Sequence, residues 1–98
     1  MNEILAITAD PKDNVATVFS NDVKPGVVVN VHDKAGTIDP IPVHEEIPFG
    51  HKLALCPIPA GEKIVKYGEV IGVSDTDIQR GDYVHVHNMK ALRGRGDL

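Results

Sequence analysis

His85-Val86-His87 holds the densest chemistry in the sequence. On a strand, side chains two apart share a face. The spacing therefore predicts both imidazoles on one side, with Tyr83 beside them and Val84 and Val86 turned into the core. Two imidazoles on one rigid face supply two ligands to a divalent metal such as iron, manganese or zinc, with a third ligand still needed. The polar face of an edge strand shows the same pattern without a metal. His51 follows Phe49-Gly50 and opens an apolar run. At a strand end beside a turn, a side chain with a pKa of about 6.5 serves as base, acid, ligand or simple cap. His32 and His44 sit among turn residues and read as surface histidines. Gly68 in Tyr67-Gly68-Glu69 marks a bulge, a close approach or a hairpin turn, which makes Lys66, Tyr67 and Glu69 contact candidates. Arg93 and Arg95 lie in a glycine-spaced tail, where they would grip carboxylates or belong to a linker. Cys56 stands in an apolar run and is expected to be buried and inert. There is no Ser-His-Asp order, P-loop, dinucleotide fingerprint or CxxC pair.

The elements that must position these groups read as short strands between turns. Runs rich in β-formers cover Ile4–Thr8, Val15–Phe19 and Val27–Val31, then His51–Leu55, Lys63–Val73 and Tyr83–His87. Thr37–Val43 contains Pro40 and Pro42, which restricts it to an edge strand or loop. Single helical turns are predicted near Asp75–Arg80 and around Glu45-Glu46. One pattern recurs: Val23-Lys-Pro-Gly26, Ile58-Pro-Ala-Gly61 and Ile78-Gln-Arg-Gly81 each place glycine three residues after an aliphatic and just before a β-rich run. A repeated turn–strand unit predicts a small pseudo-symmetric all-β domain.

Ninety-eight residues make one domain. A chain this short has little room for a closed private cavity, so its sites are expected on the surface or at an interface. The net charge of −4 and aromatic content of 4% count against a nucleic-acid module, which needs positive potential and exposed rings. No apolar run reaches the length of a membrane span, and the acidic start has no basic leader. A lone cysteine cannot close an internal disulfide. These features lead to the expectation of a cytoplasmic protein.

Taken in order, Ile47-Pro-Phe-Gly-His-Lys-Leu-Ala-Leu55, Ile58-Pro-Ala-Gly-Glu62, Val65-Lys-Tyr-Gly-Glu-Val-Ile-Gly72, Val84-His-Val-His-Asn88 and Arg93-Gly-Arg-Gly-Asp97 resemble the altronate/galactarate dehydratase family, at its small SAF domain. Lys12-Asp-Asn-Val-Ala16 resembles an early segment of that domain. The resemblance implies an all-β, β-clip fold over residues 1–98, with residues 89–98 a tail leading toward a large catalytic subunit or domain. It implies a small subunit, or N-terminal domain, of a sugar-acid hydro-lyase supported by iron or manganese, inactive alone. Related two-subunit members include sulfolactate sulfo-lyase, and a carbohydrate-binding module without catalysis is a further alternative. By the same resemblance His51 of Gly-His-Lys is the catalytic candidate, and His85 and His87 are metal ligands or substrate contacts at the subunit junction. Asp13, Asn14, Lys52 and Tyr67 are substrate contacts, and Arg93 and Arg95 engage the large partner. The chemistry needs a weakly acidic proton beside a carboxylate to be removed, which a chelating metal assists. A homodimer through an exposed β edge is also open.

Overall fold

The recurring turn organises the chain. In the computed structural model, which describes residues 3–91, Gly26, Gly61 and Gly81 have φ of 89°, 88° and 90°. Each turn is closed by the same bond: Val27 N–H to Lys24 O, Glu62 N–H to Pro59 O and Asp82 N–H to Gln79 O, all 3.0 Å. Positive φ at the third turn position is the type II geometry that glycine satisfies without strain. The aliphatic residue before each turn is fully buried: Val23, Ile58 and Ile78 are 1% exposed. Ile58 and Ile78 also bridge each other through paired backbone bonds of 2.8 Å. The repeat read from the sequence is thus a real structural unit.

The described residues form nine strands: β1 Leu5–Ile7, β2 Val15–Val18, β3 Val28–His32, β4 Ile38–Pro42, β5 Lys52–Ala54, β6 Lys63–Lys66, β7 Glu69–Ser74, β8 Tyr83–Val84 and β9 Met89–Ala91. One sheet runs β4-β3-β1-β2-β5-β8 and the other β6-β7-β9. Among the described residues only β1 and β3 pair in parallel, with Leu5 opposite Asn30; the other pairings are antiparallel. All four residues of β2 are buried. Its Ala16 and Val18 join a core with Val29, Ile41 and Leu53, and its Val15 joins a second with Ile58, Ile64, Ile78 and Val84. This small all-β domain has the architecture expected of a SAF-like β-clip.

Several expectations need correction. Tyr83–His87 is not one strand: β8 stops at Val84, and residues 85–88 form a turn. Asn88 causes the break. Its side chain accepts from His85 N–H at 3.0 Å and donates to Tyr83 O at 2.9 Å, while its own N–H reaches His85 O. Such local bonding competes with a β ladder. Val86 therefore points outward, 72% exposed, while Val84 is buried as expected. No helix occurs among the described residues; the Asp75–Arg80 stretch is extended where Ile78 meets Ile58. Cys56 is exposed, because it falls in the bend after β5. Met89–Ala91, read as the start of a tail, pairs with β7 as β9. Among the described residues no helix is long and apolar enough to cross a membrane.

Candidate functional site

β5 and β8 run side by side, with Leu53 opposite Tyr83 and Lys52 opposite Val84. His51 immediately precedes β5 and His85 immediately follows β8, so antiparallel pairing brings two distant histidines to one end of the ladder. Their ring centroids lie 4.7 Å apart. Tyr83 connects the group. Its hydroxyl is 2.6 Å from His51 Nδ1, its ring stacks on His85 at 5.7 Å and 12°, and His87 lies 5.2 Å from it. In the tautomer whose Nδ1–H donates to the phenol oxygen, His51 Nε2 presents a lone pair for a proton or a metal. His51 O also accepts from Val18 N–H at 2.8 Å, which ties this residue to the buried spine of the fold.

Burial shapes the electrostatics. It pushes the Tyr83 phenol above its ordinary pKa, and the nearby Glu45 carboxylate adds to this. Burial lowers the His85 imidazole, followed in size by the charges of His51, Lys52 and His87. Burial also lowers the Lys52 ammonium, helped by Lys66. His85 Nδ1 is buried and has no hydrogen-bond partner. Glu45 is the carboxylate nearest this group by bonding, and it accepts the Tyr83 backbone N–H at 3.2 Å. Among the described residues no three His, Cys, Asp or Glu side chains are arranged to hold a metal. Imidazoles are suitable donors for iron, manganese or zinc, and the orphan His85 nitrogen and the exposed His87, both against the Tyr83 ring, offer a partial donor set. The remaining donors would have to come from a substrate or a partner.

The other sequence candidates separate from this cluster. Asp13 and Asn14 hold the β6–β7 hairpin. Asp13 Oδ1 accepts Gly68 N–H at 2.8 Å, and Oδ2 accepts Ala9 and Asp10 N–H at 3.0 and 3.1 Å. Asn14 accepts Val65 N–H at 2.7 Å and donates to Lys63 O at 2.8 Å, standing in for a neighbouring strand along β6. Tyr67 and Gly68 form the two-residue hairpin turn, both with positive φ, 53° and 80°. The one register shift of β6 against β7 lies at Ile64/Val65 instead. Tyr67 hydroxyl donates to Thr17 Oγ1 at 3.2 Å. Thr17 stands opposite Lys52 in the β2–β5 ladder, so the hairpin tip lies over β2, next to the strand that carries Lys52. Arg93 and Arg95 fall outside the described residues. A cleft of about 400 Å³ lies elsewhere, between Thr8–Asp13 and Asp33–Ala35. Its Asp10, Asp13 and Asp33 carboxylates accept backbone N–H groups, which makes them turn-formers there. Sequence reasoning named His51 and His85 but did not pair them. It left Glu45 unassigned, and no local signal ties that residue to Tyr83 across 38 positions.

Residues 4–92 match the altronate/galactarate dehydratase SAF domain. The chain belongs to that family. This SAF domain is 35% identical over 89 residues to (2R)-sulfolactate sulfo-lyase subunit alpha of Chromohalobacter salexigens, covering 89% of this chain and 94% of that subunit. It is 36% identical over 78 residues to altronate dehydratase of Escherichia coli, covering 80% of this chain and 14% of the dehydratase. Galactarate dehydratase (L-threo-forming) of Escherichia coli is 46% identical over 61 residues, covering 59% of this chain and 12% of the enzyme. The SAF domain thus spans nearly all of one kind of relative and a small part of the other. The relatives are lyases or lyase subunits by name.

Proposed function

We propose that this SAF domain is the small component of a hydro-lyase acting on sugar acids, completed by a large catalytic subunit or domain. The observation that carries this reading is the His51–Tyr83–His85 cluster, held on paired strands but open to solvent at His87 and Val86. An open face cannot exclude water, and elimination next to a carboxylate calls for a closed, polar-organised site. A second surface laid over the cluster supplies that closure. Within it His51 Nε2 moves a proton, Tyr83 fixes the ring that does so, and Lys52 meets the acid's negative charge. His85 and His87 would hold iron or manganese with donors from the partner, and that metal would supply Lewis acidity toward the substrate oxygens. Asp13 and Asn14 serve the site through the hairpin that carries Tyr67.

A second reading, a sulfo-lyase small subunit, is favoured by the match along 94% of a sulfo-lyase subunit alpha. The test is a tagged pull-down from the native cells, followed by assays of the recovered complex. A stoichiometric large partner and dehydration of altronate or galactarate are expected; sulfite release from sulfolactate would select the second reading. His51→Ala should abolish turnover while His44→Ala leaves it near wild type, because His44 only meets Arg80 O at 3.1 Å. Equal losses would remove His51 from the site. Metal content of the complex, measured by mass spectrometry, should fall in the His85→Ala and His87→Ala variants.

A further inference from the structure

Tyr83 sits on the last strand of the six-stranded sheet, whose outer edge has no neighbouring strand among the described residues. Ala54 N–H donates to Asp82 O at 2.9 Å, which makes 54/82 a bonded position one step beyond the printed β5–β8 ladder. The next pair, Leu53 and Tyr83, is therefore a non-bonded one. Both main-chain groups of Tyr83 point away from β5, to the side where a further strand would lie. Two side chains stand there instead. Glu45 Oε2 accepts Tyr83 N–H at 3.2 Å, and Asn88 Nδ2 donates to Tyr83 O at 2.9 Å. The Asn88 bond is local, five residues along the chain. Glu45 arrives from 38 positions away, in a loop fixed on both flanks. Val43 N–H donates to Val27 O and Ile47 N–H to Val23 O, both at 3.0 Å, and Val43 and Ile47 are buried. An ionised acceptor makes a hydrogen bond roughly twice as strong as a neutral one. The same carboxylate disfavours a second negative charge on the phenol, so Tyr83 keeps the hydroxyl that meets His51 Nδ1 at 2.6 Å. A chain of two hydrogen bonds thus runs from the half-buried Glu45 through Tyr83 to the imidazole.

We propose that Glu45 is a positioning residue for His51, acting through Tyr83: its carboxylate fixes the strand that carries the phenol, and the phenol fixes the ring. Asn88 holds the same strand from the carbonyl side. The part of Glu45 in turnover rests on the lyase reading above, but its hold on the ring does not.

The ring is therefore read directly. The imidazole nitrogen shifts of His51 are measured in the full 98-residue chain, labelled with ¹⁵N, at about pH 8, where a free imidazole is neutral. Tyr83→Phe supplies the reference for a His51 ring without the bond. Glu45→Ala should move the His51 nitrogens most of the way toward that reference. Glu45→Gln keeps an acceptor for the Tyr83 N–H and should stay near wild type. So should Glu46→Gln, because Glu46 meets Lys24 at the surface, at 3.4 Å. Glu45→Leu keeps the bulk of the side chain and replaces the alanine variant if that one does not fold. Wild-type His51 shifts in either folded variant overturn the proposal, and so does an equal displacement of the remote His32 nitrogens. In the assembled enzyme Glu45→Ala should lower kcat by about tenfold with KM near wild type, since orientation and not binding is lost. Displaced nitrogens with a wild-type kcat would sink the role of His51 in turnover and leave the positioning standing.

Discussion

Tyr83 touches all three imidazoles of the cluster, bonding His51, stacking on His85 and lying against His87. A part-buried phenol that resists ionisation keeps a hydroxyl next to His51 Nδ1. Tyr83→Phe keeps the ring and removes that bond. The expected cost in stability is about 0.5–1.5 kcal/mol, as for one hydrogen bond. In the assembled enzyme kcat should fall by about tenfold or more with little change in KM, because orientation of His51 and not ligand affinity is lost. A Phe variant with wild-type kcat would take Tyr83 out of the machinery. Glu3 gives a separate pH-dependent effect. His32 Nε2 lies 2.8 Å from its carboxylate and Asn30 donates at 2.9 Å, and these bonds hold Glu3 below its ordinary pKa of 4.5. The unfolded chain then takes up the Glu3 proton first as pH falls. The stabilisation is complete above about pH 4.5 and disappears as pH drops through the lowered folded value. Glu3→Gln should lower Tm at neutral pH, and the gap to wild type should narrow step by step in melts taken progressively below pH 4.5. A gap that is constant with pH would mean that the contact carries no charge-dependent stabilisation.

The β6–β7 hairpin depends on a residue far from it in sequence. Asn14 uses both ends of its side chain on Lys63 and Val65, and its backbone N–H reaches Val65 O at 3.1 Å. The outer edge of β6 is thereby satisfied without another strand. Asn14→Ala leaves the part-buried Val65 N–H unpaired, at an expected cost of about 1–3 kcal/mol. Hydrogen exchange should show the Val65 amide losing protection before the β1–β3 amides do; uniform loss would mean the clamp is not local. This contact also marks the limit of sequence reading. The Val23, Ile58 and Ile78 turns were legible because their signal is local: an aliphatic, a glycine three residues on, and a β-rich run. The edge character of Thr37–Val43 was legible from its prolines for the same reason. The bridging role of Asn14 was not, since it depends on a partner about fifty positions away. His51 and His85 could be named one by one, but their 4.7 Å approach is a product of β5–β8 register. Val86 was misplaced because alternation is blind to Asn88, which turns the chain out of the sheet.

Across the molecule, β2 joins two cores, and the six-stranded sheet must end without inviting another chain. Its outer strand β4 settles this by the parity of its hydrogen bonds. Val43 N–H donates to Val27 O and Asp33 N–H to Thr37 O, which fixes residues 27/43 and 33/37 as bonded pairs. Bonded and non-bonded pairs alternate along an antiparallel ladder. The pairs 28/42, 30/40 and 32/38 are therefore the non-bonded ones, and the nitrogens of Ile38, Pro40 and Pro42 point away from β3. Two of these three positions have no N–H to offer. Proline here costs nothing internally and blunts the edge against strand addition. A homodimer built by pairing β4 with β4 is disfavoured for the same reason, which leaves the His51–Tyr83–His85 face as the surface better suited to a partner. Replacing both residues, Pro40→Thr with Pro42→Thr, restores the two donors on a strand whose Ile38, like Val28 on the neighbouring β3, is already 50% exposed. The double variant should self-associate in a concentration-dependent way that wild type does not show, read by sedimentation velocity over a dilution series. Folded, non-associating behaviour of the variant at the highest concentration would mean that the edge is guarded by something other than its prolines.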